Sequence, residues 1–228
     1  MSSFAVKNVN QIFGTGTAKV HVLHDVNFEA ESGTLSLIMG PSGSGKTTLL
    51  TIVGGLLTPT SGTVTVNGVD YNHQSKRQRD ALRLDEIGFV LQQYHLLPYL
   101  TVADQFTLVD KVKPKGNLSR AQLDEVLQAL GIQSLLHKYP GELSSGQQQR
   151  VAIARALYPN PTIILADEPT AALDSPRVKV VGELFKNLAT EHNKAVVIVT
   201  HDSRLMAFAD QLYEIRDGVL SKQELNRN

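Results

Sequence analysis

The sequence predicts an α/β fold: a mostly parallel sheet, an N-terminal antiparallel β subdomain and an inserted α-helical subdomain. Three observations predict it. The apolar runs LSLIM (35–39), TIILAD (162–167) and AVVIVTHD (195–202) are near-continuous rather than alternating, with helical patterns between them. Strands buried on both faces read this way, and parallel sheets are built from them. From about Tyr94 to Leu157 the β-signals vanish and helical patterns dominate. The opening thirty residues, in contrast, alternate.

Taken in order, Phe4, Val6 and Val9, then Val20, Val22, Val26 and Phe28, read as short strands with turns between. LSLIM is a strand that ends in a Gly-rich loop, and TTLLTIVGGLL (47–57) reads as a helix. SGTVTVNG (61–68) and IGFVLQ (87–92) are further strands, and KPKGN (113–117) is a loop. SRAQLDEVLQALGI (119–132) is a helix opened by Ser119 and capped near Gly131. In LSSGQQQRVAIARAL (143–157), Val151, Ile153, Ala154 and Leu157 mostly keep a helical period, and Ser144 with Gln147 three residues on forms a capping-box pattern. LYEIRDG closes with a hairpin signal. The expected organisation is one unit over 1–228, with a β core at about 1–92 and 158–228 and a helical subdomain at about 93–157.

Composition narrows the class. The chain is 42% hydrophobic, enough for a sizeable core, and its 22 Lys plus Arg balance its 22 Asp plus Glu. No global basic field of the kind that drives sequence-independent nucleic-acid binding exists, so no nucleic-acid partner is expected. With no Cys, disulfides are excluded and a reducing compartment is the simplest reading. MSSFAVKNVN lacks the basic stretch and apolar core of a signal peptide, and no apolar run approaches a membrane span. The expectation is a cytoplasmic chain that reaches a membrane only through a partner.

The chemistry concentrates in a few motifs. Gly40, Pro41, Ser42, Gly43, Ser44, Gly45, Lys46 and Thr47 match G-x-x-x-x-G-K-[ST] between a strand and a helix, the context that separates a phosphate loop from a chance Gly/Ser turn. The glycines let backbone N–H groups close around the β- and γ-phosphates, and Lys46 adds a point charge. The Thr47 hydroxyl can ligate Mg²⁺ and Thr48 can reach the α-phosphate. IILADEP (163–169) ends a strand in two carboxylates. Asp167 would hold Mg²⁺ through water, and Glu168 would orient or deprotonate an attacking water. Alone this is a solvated acidic turn; beside a phosphate loop it completes an NTPase. His201 ends a parallel strand where such sheets bind ligands, within reach of a γ-phosphate and Glu168. Gln92 can offer its amide oxygen to Mg²⁺ and water, or be an ordinary loop polar. Phe13 can stack on a purine or belong to the core. The start of the LSSGQ helix is a second anion-facing terminus, about a hundred residues after the first.

GPSGSGKT, Gln92, LSSGQ, ILADE, AALD and His201 follow the order of the ATP-binding-cassette ATPases, and the resemblance spans essentially the whole chain. It implies a P-loop NTPase core, ATP and Mg²⁺ as cofactors, and a head-to-tail dimer with a second copy of the chain. Ser144, Ser145, Gly146 and Gln147 would then face the γ-phosphate of nucleotide held by the partner's Lys46, with Asp174 at the dimer seam. This answers why one chain carries two phosphate-facing helix starts. It also implies a separate integral-membrane permease, hence a place on the cytoplasmic face of the cell membrane. Three positions depart from the family pattern: Ser145 replaces a Gly of LSGGQ, Ala171 stands where the seam motif usually has Ser, and Phe13 replaces the commoner Tyr. None removes a metal ligand or the candidate base.

Within the family, GTGTAKVHVLHDV resembles the branch that serves permeases of the macrolide- and lipoprotein-exporter type. LRLDEIGFVLQQYHLLPYLTVADQFTLV is similar to the ATPase subunit of haem-regulated haem exporters, which implies haem efflux; export of a lipoprotein, antimicrobial peptide or macrolide is the alternative. YHLLPYL (94–100) is either core beneath the helical subdomain or the patch where a permease helix docks. A soluble translation or repair cassette would carry two cassettes or a long coiled-coil insertion, and neither is present. A GTPase would want N-K-x-D, and Asn193-Lys194-Ala195-Val196 lacks its Asp. A small-molecule kinase would not explain LSSGQ.

Overall fold

Two long strands open the chain and pair antiparallel: β1 (Ser2–Phe13) and β2 (Val20–Glu31). The alternating stretches therefore belong to two continuous strands, not to several short ones. The reason lies at Asn8 and Asp25, whose φ values of 50° and 43° are left-handed. Asn and Asp tolerate that region better than other side chains. Near them the pairing register slips between Val6 and Val9, so the inward face is reset without a turn. The Asn27 side chain steadies the irregularity by accepting the Asn8 N–H at 3.0 Å. The computed structural model describes residues 2–225; residues 1 and 226–228, the extremes of the expected single unit, lie outside the described residues.

The chain then runs β3 (Leu35–Met39), α1 (Lys46–Val53), β4 (Ser61–Val66), β5 (Val69–Asp70), α2 (Lys76–Glu86) and β6 (Ile87–Val90). It continues with α3 (Val102–Val112), α4 (Arg120–Ala129), α5 (Ser145–Leu157), β7 (Ile163–Asp167), α6 (Ser175–Thr190), β8 (Ala195–Thr200), β9 (Gln211–Arg216) and β10 (Val219–Gln223). β2-β1-β4-β5 form an antiparallel sheet. The central sheet has the order β10-β9-β3-β8-β7-β6, parallel except for the edge strand β10.

Each apolar run is continuous because each of its faces meets a different core. Ile164, Ala166, Val196 and Ile198 pack with residues of α3 to α6. Ile163, Leu165, Ala195, Val197 and Val199 pack with α1 and the antiparallel sheet. Burying a side chain of this size stabilises by roughly 1.5–3 kcal/mol before conformational entropy is counted. On α6, Val178, Val181, Phe185 and Leu188 recur at helical spacing and bury one face against the sheet.

Two helices differ from the sequence reading. α1 ends at Val53, so GGLL lies beyond it; Gly55 has φ 67°, and a Cβ on Gly54 would lie 2.2 Å from the Phe89 ring. α2 is a helix where none is expected. It buries no residue fully, carries only three apolar residues, Ala81, Leu82 and Leu84, and is set by a Ser75–Gln78 capping box. α4 follows its expected signals: Ser119 caps it and Gly131, at φ 62°, ends it. Among the described residues no helix is long and apolar enough to cross a membrane.

Candidate functional site

The loop between β3 and α1 is shaped by its glycines. Gly43 and Gly45 have φ of 80° and 102°, and a Cβ on Gly45 would lie 2.8 Å from a Leu23 methyl. Only glycine takes both the conformation and the approach without strain. Gly45 is also the N-cap of α1, and no side chain caps that helix. The first-turn N–H groups of α1 are thereby left for an anion.

These groups border a cavity of about 550 Å³. One wall is Ser42, Gly43, Gly45, Lys46, Thr47 and Thr48; facing them are Gln92, Asp167, Glu168 and His201, with Val22 and Ala171 at the margins. Gly40, Pro41, Ser44 and Phe13 are not in that lining. Gly40 backs the loop, since a Cβ there would lie 2.2 Å from the Ile215 carbonyl oxygen. The Gly40 and Pro41 carbonyls each accept a 2.7 Å bond from Lys46 Nζ, which holds the ammonium folded over the loop. The buried Ser44 hydroxyl has no hydrogen-bond partner among the described residues. Phe13 ends β1 and is 42% exposed, a ring free to stack.

At the floor, Thr47 Oγ1 donates to Asp167 Oδ2 at 2.7 Å. Asp167 is buried, and burial pushes its carboxyl above the usual carboxylate range; the Thr47 bond pulls it back, the charge of Glu168 adds to the rise, and Lys46 opposes it. A hydroxyl and a carboxylate side by side are the hard oxygen donors that Mg²⁺ takes, and a divalent cation would offset the crowding of two carboxylates. The donor set fits that ion.

Glu168 follows Asp167 in the left-handed region, at φ 49°. Its Oε2 accepts from Thr200 Oγ1 at 2.7 Å, and its Oε1 lies 2.9 Å from His201 Nδ1. The His201 ring is largely exposed while the Glu168 side chain is buried, so the imidazole covers the carboxylate from the solvent side. Asp202 orders the turn behind them, donating its N–H to Thr200 Oγ1 and accepting from Thr170 Oγ1. The Arg204 bond, aided by Thr170, holds the Asp202 carboxyl below its ordinary value. Such a constellation can hold a polyphosphate, a divalent cation and a water beside a carboxylate base.

Ser144, Ser145, Gly146, Gln147 and Asp174 are not brought to this cavity. They line a second hollow of about 260 Å³ with Arg150, Ala172 and Arg177. Ser144 caps α5 through the expected capping box with Gln147. Asp174 caps α6, accepting from the Arg177 N–H and pairing with its guanidinium. Sequence reasoning missed Val22, Thr200, Asp202 and Gln149. Their roles depend on contacts between distant segments, and no local spacing signals them.

The ABC transporter family model matches residues 23–171. A Staphylococcus epidermidis protein named hemin import ATP-binding protein HrtA is 44% identical over 93% of this chain and 96% of its own length. Its namesake in Staphylococcus aureus is 44% identical over 96% of this chain and 99% of its own length. Among solved structures, dimeric MJ0796, described as a bacterial ABC transporter cassette, has a TM-score of 0.91 at 38% identity, over 99% of this chain and 100% of its own. A dimeric post-hydrolysis state of the same cassette, bound to ADP and Pi, has a TM-score of 0.89. With the phosphate loop, paired carboxylates and signature helix in place, the chain belongs to the ABC transporter family and is one of its ATP-hydrolysing subunits.

Proposed function

We propose that this chain powers haem export as one of two identical ATPase subunits bound to a separate membrane permease. The observation that carries the ATPase part is the single cavity that gathers Lys46, Thr47, Gln92, Asp167, Glu168 and His201. In this reading Phe13 stacks on the adenine, residues 40–48 wrap the phosphates, and Thr47, Gln92 and Asp167 hold Mg²⁺. Glu168 takes a proton from the attacking water and His201 contacts the γ-phosphate. Ser144, Ser145, Gly146, Gln147 and Asp174 complete the site of a second copy, a reading supported by the dimeric form of both similar cassettes.

Functionally the chain divides into a core of about 1–92 and 158–228 and a helical subdomain of about 93–157. The permease would dock on the helical side. Tyr99 is 90% exposed and Leu97 is also exposed, while Arg155 fixes their loop through the Tyr94 and His95 carbonyls. Of the two readings of YHLLPYL, this exposure favours docking. The complex would sit on the cytoplasmic face of the cell membrane.

Haem as cargo is supported by the names of the relatives, which say import, whereas the exporter-branch resemblance favours efflux. The cassette chemistry is the same in both directions. A deletion strain given external haem decides between them. Efflux predicts a rise in cellular haem and impaired growth, reversed by the wild-type gene and not by Glu168→Gln. A fall in cellular haem means import, and no change means another cargo.

A further inference from the structure

The two nucleotide-facing surfaces are joined inside one chain by the side chain of Gln149. This residue lies early in α5 and is 1% exposed. Its Nε2 donates to the Glu168 carbonyl oxygen at 2.9 Å, and its Oε1 accepts the Ala172 N–H at 3.0 Å. Both ends of one amide are committed to the segment that runs from Glu168 to Asp174. One turn earlier, Gly146 lets α5 approach that segment; a Cβ there would lie 3.0 Å from the Ala172 carbonyl oxygen.

Glu168 needs such support. A non-glycine residue in the left-handed region persists only where its surroundings over-determine it. Its N–H donates to the Val199 carbonyl at 2.9 Å and its carboxylate accepts from Thr200. Its carbonyl accepts from Gln149 and, at 3.2 Å, from the Ala171 N–H. One of these restraints thus comes from the helix whose start opens on the second hollow. A shift of α5 toward an anion at Ser145 would therefore be carried to the backbone that aims Glu168.

We propose that Gln149 is a positioning residue that couples the two ATP sites of the dimer. Engagement of the partner's nucleotide by α5 is passed through the Gln149 amide to the Glu168 backbone, and so to this chain's own nucleotide. The proposal rests on the paired-site reading given above. Coupling of this kind is reciprocal, so it appears as cooperativity in ATP, with a Hill coefficient bounded by the two sites.

The test is the ATPase rate against ATP concentration for wild type, Gln149→Leu and Gln149→Glu, with ADP affinity as the control for folding. Gln149→Leu keeps the volume, takes the side-chain acceptor from the Ala172 N–H and leaves the Glu168 carbonyl with the Ala171 N–H alone. Its kcat is expected to fall by about tenfold or more, and its Hill coefficient to drop from above 1 to about 1, with ADP affinity unchanged. Gln149→Glu keeps the acceptor for Ala172 but loses the donor to Glu168, and is expected to lose the same cooperativity. If Gln149→Leu loses ADP binding, Gln149→Glu decides by the same criteria. A wild-type Hill coefficient kept by the variants overturns the proposal, even if kcat falls, since a structural role alone lowers kcat. A Hill coefficient of about 1 in the wild type removes the paired-site reading and the proposal with it.

Discussion

Two helices of this protein, α1 and α5, begin on a hollow, and they begin differently. α1 starts at Gly45 with no capping side chain, under the buried Lys46, beside a cavity of about 550 Å³. α5 starts at Ser144 with a full capping box and exposed serines, on a smaller hollow of about 260 Å³. At α1 the donors of the first turn are held for a ligand and a cation stands beside them. At α5 the Ser144 hydroxyl has already taken the Gln147 N–H. The first start is a binding site in its own right. The second is a stable helix end with Ser145 exposed and Gly146 half-buried, and in the proposed reading it is half of a site that a second copy closes.

The comparison can be broken most forcefully at Glu168. Glu168→Gln keeps the shape of the side chain and removes the base, so hydrolysis is expected to fall by about 10²–10⁴-fold in steady-state assays while ATP still binds. Equal activity would take the base role from Glu168. Next comes Lys46→Ala, which removes the charge at α1 and frees the Gly40 and Pro41 carbonyls. ATP affinity is expected to weaken by about 10–100-fold by titration calorimetry, the scale of a charge-assisted hydrogen bond. The smallest effect separates fold from function at the two capping boxes. Ser75→Ala on α2 and Ser144→Ala on α5 should each cost about 1 kcal/mol of stability, a Tm loss of about 2–4 °C. Only Ser144→Ala should also slow hydrolysis, because in the proposed dimer the start of α5, unlike that of α2, meets the partner's nucleotide.

How legible this was depended on how local the signal is. The phosphate loop is contiguous and its glycines are required by backbone geometry, so its residues could be named from the string alone. The capping box of α5 and the hairpin of β9 and β10 are equally local. The continuous strands at the start look like fragments in the string, because one left-handed Asn or Asp flips an alternation without ending a strand. α2 is hard to see in the string because Ala81, Leu82 and Leu84 are its only apolar residues among eleven, too few to mark a stripe. Thr200, Asp202 and Gln149 lay out of reach for a different reason. Each is an ordinary polar residue until the fold brings it to Glu168 or its loop, from 19 to 34 positions away in sequence.

The central claim is that the start of α5 completes the ATP site of another copy. Glu168→Gln should trap that state, so its molar mass is to be measured by light scattering with and without ATP. The account predicts a doubling of mass with ATP, and none when Gly146→Asp places a carboxylate at the α5 start while ATP binding to the single chain is kept. An ATP-saturated Glu168→Gln protein that stays monomeric, or a Gly146→Asp version that still doubles, would contradict it.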